Sequence, residues 1–281
     1  MNNIKYLLLR RTTQIGLMFL YFAANTYGWN ILAGTFGTSY LFDTIPLADP
    51  YTTLQVLATG FVLATDVLIG AVIITLFYFV IGGRAFCSWV CPINMVTDLA
   101  NWLRRKLKLD KEEVNYRFLK RSARYWIMVL GLVVSAFVGV AAFEVLSPIT
   151  IMQRGIVFGF GMGAAVVLAI FLFDLFGVKN GWCGHLCPLG AAYSIIGSQS
   201  IVRVKHDHEA CTACMDCKLV CPENQVLHMI NKKSISVTDG DCTNCGRCVD
   251  VCNDDALGFG IRSFDNFLVK NEEKRNFSKN N

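Results

Sequence analysis

The sequence contains few charged residues, and this scarcity limits the class of protein. Only 17% of its 281 residues are Asp, Glu, Lys or Arg, whereas 54% are hydrophobic and the mean hydropathy is +0.44. A water-soluble domain of this size is rarely so apolar, so the composition predicts a membrane protein. The net charge of +5 requires no nucleic-acid partner, because basic residues beside membrane ends can face anionic lipid.

Histidine is also scarce, and none of the four histidines lies in a long apolar run. A haem that is held in a helical bundle by two axial histidines needs these ligands inside the runs. The chain is therefore not expected to be a cytochrome b.

Four apolar runs approach the roughly 20 residues that a bilayer core requires. They lie within residues 12–32, 54–81, 125–146 and 155–178. Segment 33–53 lacks Lys and Arg, and all basic residues except Arg154 fall on the opposite side of the predicted spans. The positive-inside rule then places both termini in the cytoplasm. The sequence predicts four spans in a bacterial cytoplasmic (inner) membrane, in contact with lipid.

Cysteine is abundant, with 12 residues, and eight of them form two copies of one spacing pattern. The pattern C-x2-C-x2-C-x3-C-P ends at Pro222, and its second copy has Asn253 in place of the proline. This is the spacing of a bacterial two-cluster ferredoxin, in which the fourth cysteine of each run ligates the other cluster. Zinc is disfavoured because structural zinc sites use paired C-x2-C units far apart.

Crossed ligation assigns the eight cysteines to two 4Fe-4S clusters. The first cluster is predicted to bind Cys211, Cys214, Cys217 and Cys252. The second is predicted to bind Cys242, Cys245, Cys248 and Cys221. Such a module carries electrons and performs no organic chemistry itself.

The four remaining cysteines form an internal repeat. Each of two apolar runs is followed by C-x3-C-P, which places Cys87 with Cys91 and Cys183 with Cys187. In a helix, positions i and i+4 share one face, so the four sulfurs are expected to converge. The pattern predicts a third metal site or a thiol–disulfide couple, and packing of unligated thiols is the alternative.

Three charged residues are candidates for quinol contact or proton transfer. Asp66 lies inside the second run, where an ionisable group is costly unless it faces the interior. It is either a proton or quinol contact or a hydrogen-bonded structural group. Glu144 either pairs with Arg154 or accepts protons, and it is preferred over Asp66 because it lies close to water.

The predicted fold is an all-α four-helix membrane bundle joined to a cytoplasmic α+β ferredoxin module. The bundle occupies residues 1–200, the two-cluster module 201–260, and a polar flexible tail 261–281. Apolar residues recur at helical spacing within 94–109 and are followed by basic residues, which predicts an amphipathic helix at the membrane interface.

Nearly the whole chain resembles a known family, the NapH type, which is the membrane subunit of the quinol-dehydrogenase module of periplasmic nitrate reductase. The resemblance rests on both ferredoxin runs and on four short motifs. These are LFDTIPL at 41–47, FCSWVCP at 86–92, TDLANWL at 97–103 and GWCGHLCP at 181–188.

The resemblance implies an oxidoreductase subunit that takes electrons from menaquinol or ubiquinol. It implies transfer to an iron–sulfur partner of the NapG type, and onward to a membrane-anchored cytochrome c and the periplasmic nitrate reductase. The alternative is an assembly, scaffold or redox-sensing protein that matures or recruits the reductase subunits. The two hypotheses differ in whether the reductase itself is active with artificial donors when the cysteines are replaced.

Overall fold

The computed structural model describes residues 4–109, 120–159, 161 and 163–262. The helices in these ranges are α1 Lys5–Tyr27, α2 Pro50–Ala58, α3 Thr65–Ile81, α4 Ala85–Trp89, α5 Ile93–Lys106, α6 Ala123–Val138, α7 Ala142–Leu146, α8 Pro148–Phe158, α9 Gly163–Phe176, α10 Pro188–Gly197, α11 Asp216–Val220 and α12 Arg247–Asp250. The strands are β1 Leu32–Gly34, β2 Thr38–Leu41, β3 Ile45–Ala48, β4 Val202–His206 and β5 Leu257–Ile261. A π-helical turn at Trp182–Leu186 precedes α10.

Among the described residues, no helix combines the length and the apolar character needed to cross a membrane. The predicted four-span membrane bundle is therefore wrong, and so is the predicted localisation with four spans. Helix α3 is strongly apolar after Asp66 in its first turn, but it has only 17 residues, which gives roughly 26 Å against the ~30 Å of a bilayer core. Helix α1 is longer, but it contains Lys5, Arg10 and Arg11.

Each predicted span is shortened or divided at a glycine with positive φ. These glycines are Gly28, Gly60, Gly139 and Gly159. Three of them stand directly after a helix, at the ends of α1, α6 and α8. The left-handed backbone costs glycine little and stops the helical hydrogen-bond ladder. Hydropathy alone counted these runs as continuous because glycine is only weakly polar.

Residues 32–48, between α1 and α2, form a small sheet. Strands β1, β2 and β3 make an antiparallel meander. Helix α3 packs on β3, and Gly70 permits this because a side chain there would meet the backbone of Leu47 and Ala48. Asp49 then caps α2, accepting the Thr52 N–H at 2.8 Å.

The predicted helix within 94–109 is present as α5, which packs against α9. Arg104, Arg105 and Lys106 occupy its last turn, where basic groups favour the negative end of the helix dipole. Helix α10 packs against both α3 and α6. The main core lies between these helices and contains Tyr51, Tyr78, Phe86 and Tyr193.

The C-terminal module packs against the helical part of the molecule, where β4 contacts α3 and α12 contacts α1. Strands β4 and β5 pair antiparallel, with Val202 opposite Ile261. Helices α11 and α12 each carry the third cysteine of a run. From residue 263 onward, the predicted tail lies outside the described residues.

Candidate iron–sulfur sites

The cysteines assigned to the first cluster line a single cavity. This outer set comprises Cys211, Cys214, Cys217 and Cys252. Ala213 and Met215 adopt positive φ between the cysteines, which folds the run tightly around the cavity. The Ala213 N–H donates to Cys211 Sγ at 3.4 Å. Cys214 is exposed, so this set is close to the protein surface.

The cysteines assigned to the second cluster are all buried. This inner set comprises Cys221, Cys242, Cys245 and Cys248. Burial raises the pKa of the Cys248 thiol, and the neighbouring Cys245, Cys242 and Cys221 raise it further. The structure thus brings Cys221 to the second run and Cys252 to the first, which is the exchange that crossed ligation requires.

Buried arginines beside the inner set leave guanidinium nitrogens without partners. Arg10 and Arg203 are fully buried, and Nε and Nη2 of each have no hydrogen-bond acceptor in the described part of the chain. Arg10 interacts electrostatically with Cys245, and Arg203 with Cys242. An anionic cluster with sulfur acceptors would satisfy these donors, because buried cations need a partner. The residues present therefore fit a 4Fe-4S cluster.

Within the described ranges, no three Cys, His, Asp or Glu side chains gather around a point that one metal ion could occupy. This holds for both ferredoxin sets as well as for the rest of the described chain. The cysteines of a cubane cluster bind different irons, so they surround a cavity instead of converging on a single ion.

The four C-x3-C-P cysteines, here the repeat set, lie in the main core. They are Cys87, Cys91, Cys183 and Cys187. Cys87 lies on α4, and Cys183 lies on the π-helical turn before α10. Burial raises the pKa of Cys183, and the three other thiols and Asp174 raise it further. The structure thus places the repeat cysteines in one core cluster, but neither pair shares the face of an α-helix: Cys91 lies beyond the end of α4, and Cys187 follows the π-helical turn in extended backbone.

Arg84 links the repeat set to the inner set. Its guanidinium donates to the Cys183 carbonyl at 3.0 Å, to Glu223 Oε1 at 2.9 Å and to the Asp241 carbonyl at 2.9 Å. Glu223 and Asp241 each lie within two residues of an inner-set cysteine. Sequence inspection missed Arg84, because nothing in its local pattern marks a buried arginine.

The predicted quinol and proton residues are not brought together. Asp66 is exposed in the first turn of α3, and Arg154 is exposed on α8. Glu144 is half-buried and accepts the Thr150 hydroxyl at 2.7 Å and the Thr52 hydroxyl at 3.3 Å. The predicted alternatives for these three residues stay predictions.

Sequence inspection also missed Asp49, a buried carboxylate near Glu144. The Tyr193 hydroxyl donates to Asp49 Oδ1 at 3.0 Å, and the Thr52 hydroxyl bonds to Oδ2 at 3.0 Å. The dipeptide Asp49-Pro50 does carry a signal, since an acidic cap before proline is typical of a helix start. That signal predicts α2 and says nothing about burial.

A groove of about 680 Å³ lies between α1, α5 and α12. Its lining is mostly apolar but includes five charged side chains. The apolar residues are Ile4, Leu7, Met95, Val96, Leu99, Trp102, Met152, Val220 and Val251. The charged residues are Arg11, Asp98, Arg105, Arg247 and Asp250. A cavity of this size and composition is typical of a small-molecule site.

Comparison with known proteins identifies two matching sequence families. A family described as "4Fe-4S binding domain" matches residues 63–110 and again 158–205. A family described as "4Fe-4S dicluster domain" matches residues 203–253. No solved structure matches the chain.

Several curated relatives match over nearly their whole length. The ferredoxin-type protein NapH of Escherichia coli (strain K12) is 47% identical over 92% of this chain and 90% of its own. NapH of Haemophilus influenzae is 44% identical over the same shares. The methylamine utilization ferredoxin-type protein MauN of Methylorubrum extorquens is 43% identical over 88% of this chain and 86% of its own.

Proposed function

The chain belongs to the family of NapH and MauN ferredoxin-type proteins, and we propose that it transfers electrons from a quinol to an iron–sulfur partner of the NapG type. From there the electrons pass towards the periplasmic nitrate reductase. Electron transfer is the common property of the family; the donor and the partner are the proposed details. Relatives with similar identity carry both the NapH and the MauN name, so similarity alone does not choose the partner.

The observation that carries the proposal is the position of the 680 Å³ groove beside the cysteine sets. Arg247 and Val251 line the groove, and each directly precedes a cysteine, Cys248 of the inner set and Cys252 of the outer set. A small molecule in the groove would lie against the backbone that links the two sites. When bound, the clusters supply one-electron redox chemistry.

The lining of the groove suits a quinol. Met95, Leu99 and Trp102 on α5 provide apolar surface for the ring and its hydrocarbon tail, while Asp98 and Asp250 also line the groove. Oxidation releases two electrons and two protons for each quinol, and the protons can leave to water at the open face. Asp66, Glu144 and Arg154 do not line this groove.

The test uses the full chain, purified anaerobically with its clusters. A reduced menaquinol analogue is added, and cluster reduction is followed by electron paramagnetic resonance. Met95→Trp fills the groove and should slow this reduction by about tenfold or more, equivalent to about 1.4 kcal/mol. Reduction by dithionite should be unchanged, because it does not need the groove.

Leu76→Trp is the matched control, since Leu76 is exposed on α3 outside the groove. It should leave both reductions unchanged. Equal rates for Met95→Trp and the native chain would refute the groove as the quinol site. Clusters that respond to dithionite alone, even with the iron–sulfur partner present, would favour the assembly or sensing alternative.

A further inference from the structure

The two matches to the "4Fe-4S binding domain" family each contain too few cysteines for a cluster. Residues 63–110 include only Cys87 and Cys91, and residues 158–205 include only Cys183 and Cys187. A 4Fe-4S cluster needs four ligands. We propose that the repeat set binds one 4Fe-4S cluster, shared between the two repeats, as a third cluster beside those of the ferredoxin module.

The fold holds the two cysteine pairs together because helices of each repeat pack against helices of the other repeat. Helix α5 follows the first pair and packs against α9, which precedes the second pair. Helix α10 follows the second pair and packs against α3, which precedes the first. Each pair is thus anchored by the other repeat, and neither repeat forms its half of the site alone.

The surroundings of the repeat set favour an anionic group. The Arg84 guanidinium lies beside the Cys87 thiol, and both residues line one small cavity. Arg84 is 1% exposed, and its Nε has no hydrogen-bond partner among the described residues. A cluster on the repeat set would give this donor an acceptor. Each thiol would bind iron as a thiolate and release its proton to water.

The repeat set lies next to the inner set. One small cavity is lined by Cys87 and Cys183 on the repeat side and by Cys245 on the inner side. Arg10 and Arg84 line the same cavity. The role of a third cluster rests on the proposed electron-transfer function. Two clusters in adjacent sites can exchange single electrons. Arg84 is a positioning residue, since it touches both sites and neither donates nor accepts electrons.

The test is the iron and sulfide content of the anaerobically purified full chain. The native chain should contain three clusters' worth of iron rather than two. Cys91→Ser in the first repeat should remove one cluster's worth, and so should Cys187→Ser in the second. The double variant should lose no more than either single variant. Circular dichroism checks that each variant is folded.

The ferredoxin module provides the control. Cys217→Ser should remove the outer cluster instead, and this loss should add to that of Cys187→Ser. In Arg84→Gln, the midpoint potential of the third cluster's signal should become more negative, because a cation that favours the reduced form is lost. Iron for only two clusters in the native chain, or additive losses in the double variant, would refute a shared site. The ferredoxin signals persist in either case, so the electron-transfer proposal is judged separately.

Discussion

Among single residues, Asp49 shows how burial and hydrogen bonding act against each other. The pKa of Asp49 is raised from 3.8 to about 6, because burial and the nearby Glu144 raise it by more than the hydrogen bonds from Thr52 and Tyr193 lower it. An acid whose pKa is raised by folding stabilises the fold fully below its unfolded pKa. That contribution is lost as the pH rises through the folded pKa.

Asp49→Asn should therefore remove a pH dependence between about pH 4 and pH 6. In this window the native chain should lose stability relative to the variant, by at most about 3 kcal/mol for a shift of this size. Asparagine still caps α2, so the helix start is retained. Urea denaturation across the pH range measures the difference. Tyr193→Phe removes a hydrogen bond that lowers the pKa and should move the window upward; parallel profiles for Asp49→Asn and the native chain would contradict the assignment.

Among the elements, glycine decides both where helices stop and where they touch. Gly83, just after α3, and Gly197, at the end of α10, approach so closely that a side chain on Gly83 would meet the backbone of Tyr193 and Gly197. Gly240 makes a similar contact with Ser194 from the ferredoxin side. These contacts set the position of α10 relative to both cysteine sites.

Gly83→Ala should destabilise the protein by about 1–3 kcal/mol or more, because the added methyl group meets backbone that cannot turn aside. Gly16→Ala on α1 is the control, since a side chain there meets nothing within 4 Å. The control should be neutral or stabilising by up to about 1 kcal/mol, because alanine favours helix. Denaturant midpoints measure both, and a Gly83→Ala midpoint equal to that of the control would disprove the close packing.

In the whole molecule, a buried ionic cluster joins the helical core to the ferredoxin module. Asp98 on α5 pairs with Arg10 and Arg11 on α1 and with Arg247 on α12. Burial alone would raise the pKa of Asp98, but the three arginines more than reverse this and lower it. Asp250 completes the junction by accepting the Tyr6 and Leu7 N–H groups at the start of α1.

Asp98→Asn should cost about 3–5 kcal/mol, because removing one partner leaves buried charge uncompensated. Anaerobic urea denaturation, followed by tryptophan fluorescence, measures the loss. Asp66→Asn is the control, since Asp66 is exposed, and it should change stability by less than about 0.5 kcal/mol. A loss below about 1 kcal/mol for Asp98→Asn would mean that the junction does not depend on this cluster.

Local spacing determined much of this protein. The two ferredoxin runs predicted which cysteines meet, because ligand spacing is short-range and specific. The helix within 94–109 was predictable from its periodicity. The apolar runs led to the wrong prediction of four membrane spans. Hydropathy depends on side chains and takes no account of the positive-φ glycines that end or divide the helices, Gly28, Gly60, Gly139 and Gly159.

Only the tertiary structure decided what surrounds the cysteines. Arg84, Arg10 and Asp98 become buried partners of distant residues, and no local pattern marks a charge that will be paired across the fold. The packing of α5 and α10 against helices of the other repeat likewise depends on contacts between distant parts of the chain. A ligand run carries its own geometry along the chain, whereas the charges and cavities around it are created only when separate segments fold together.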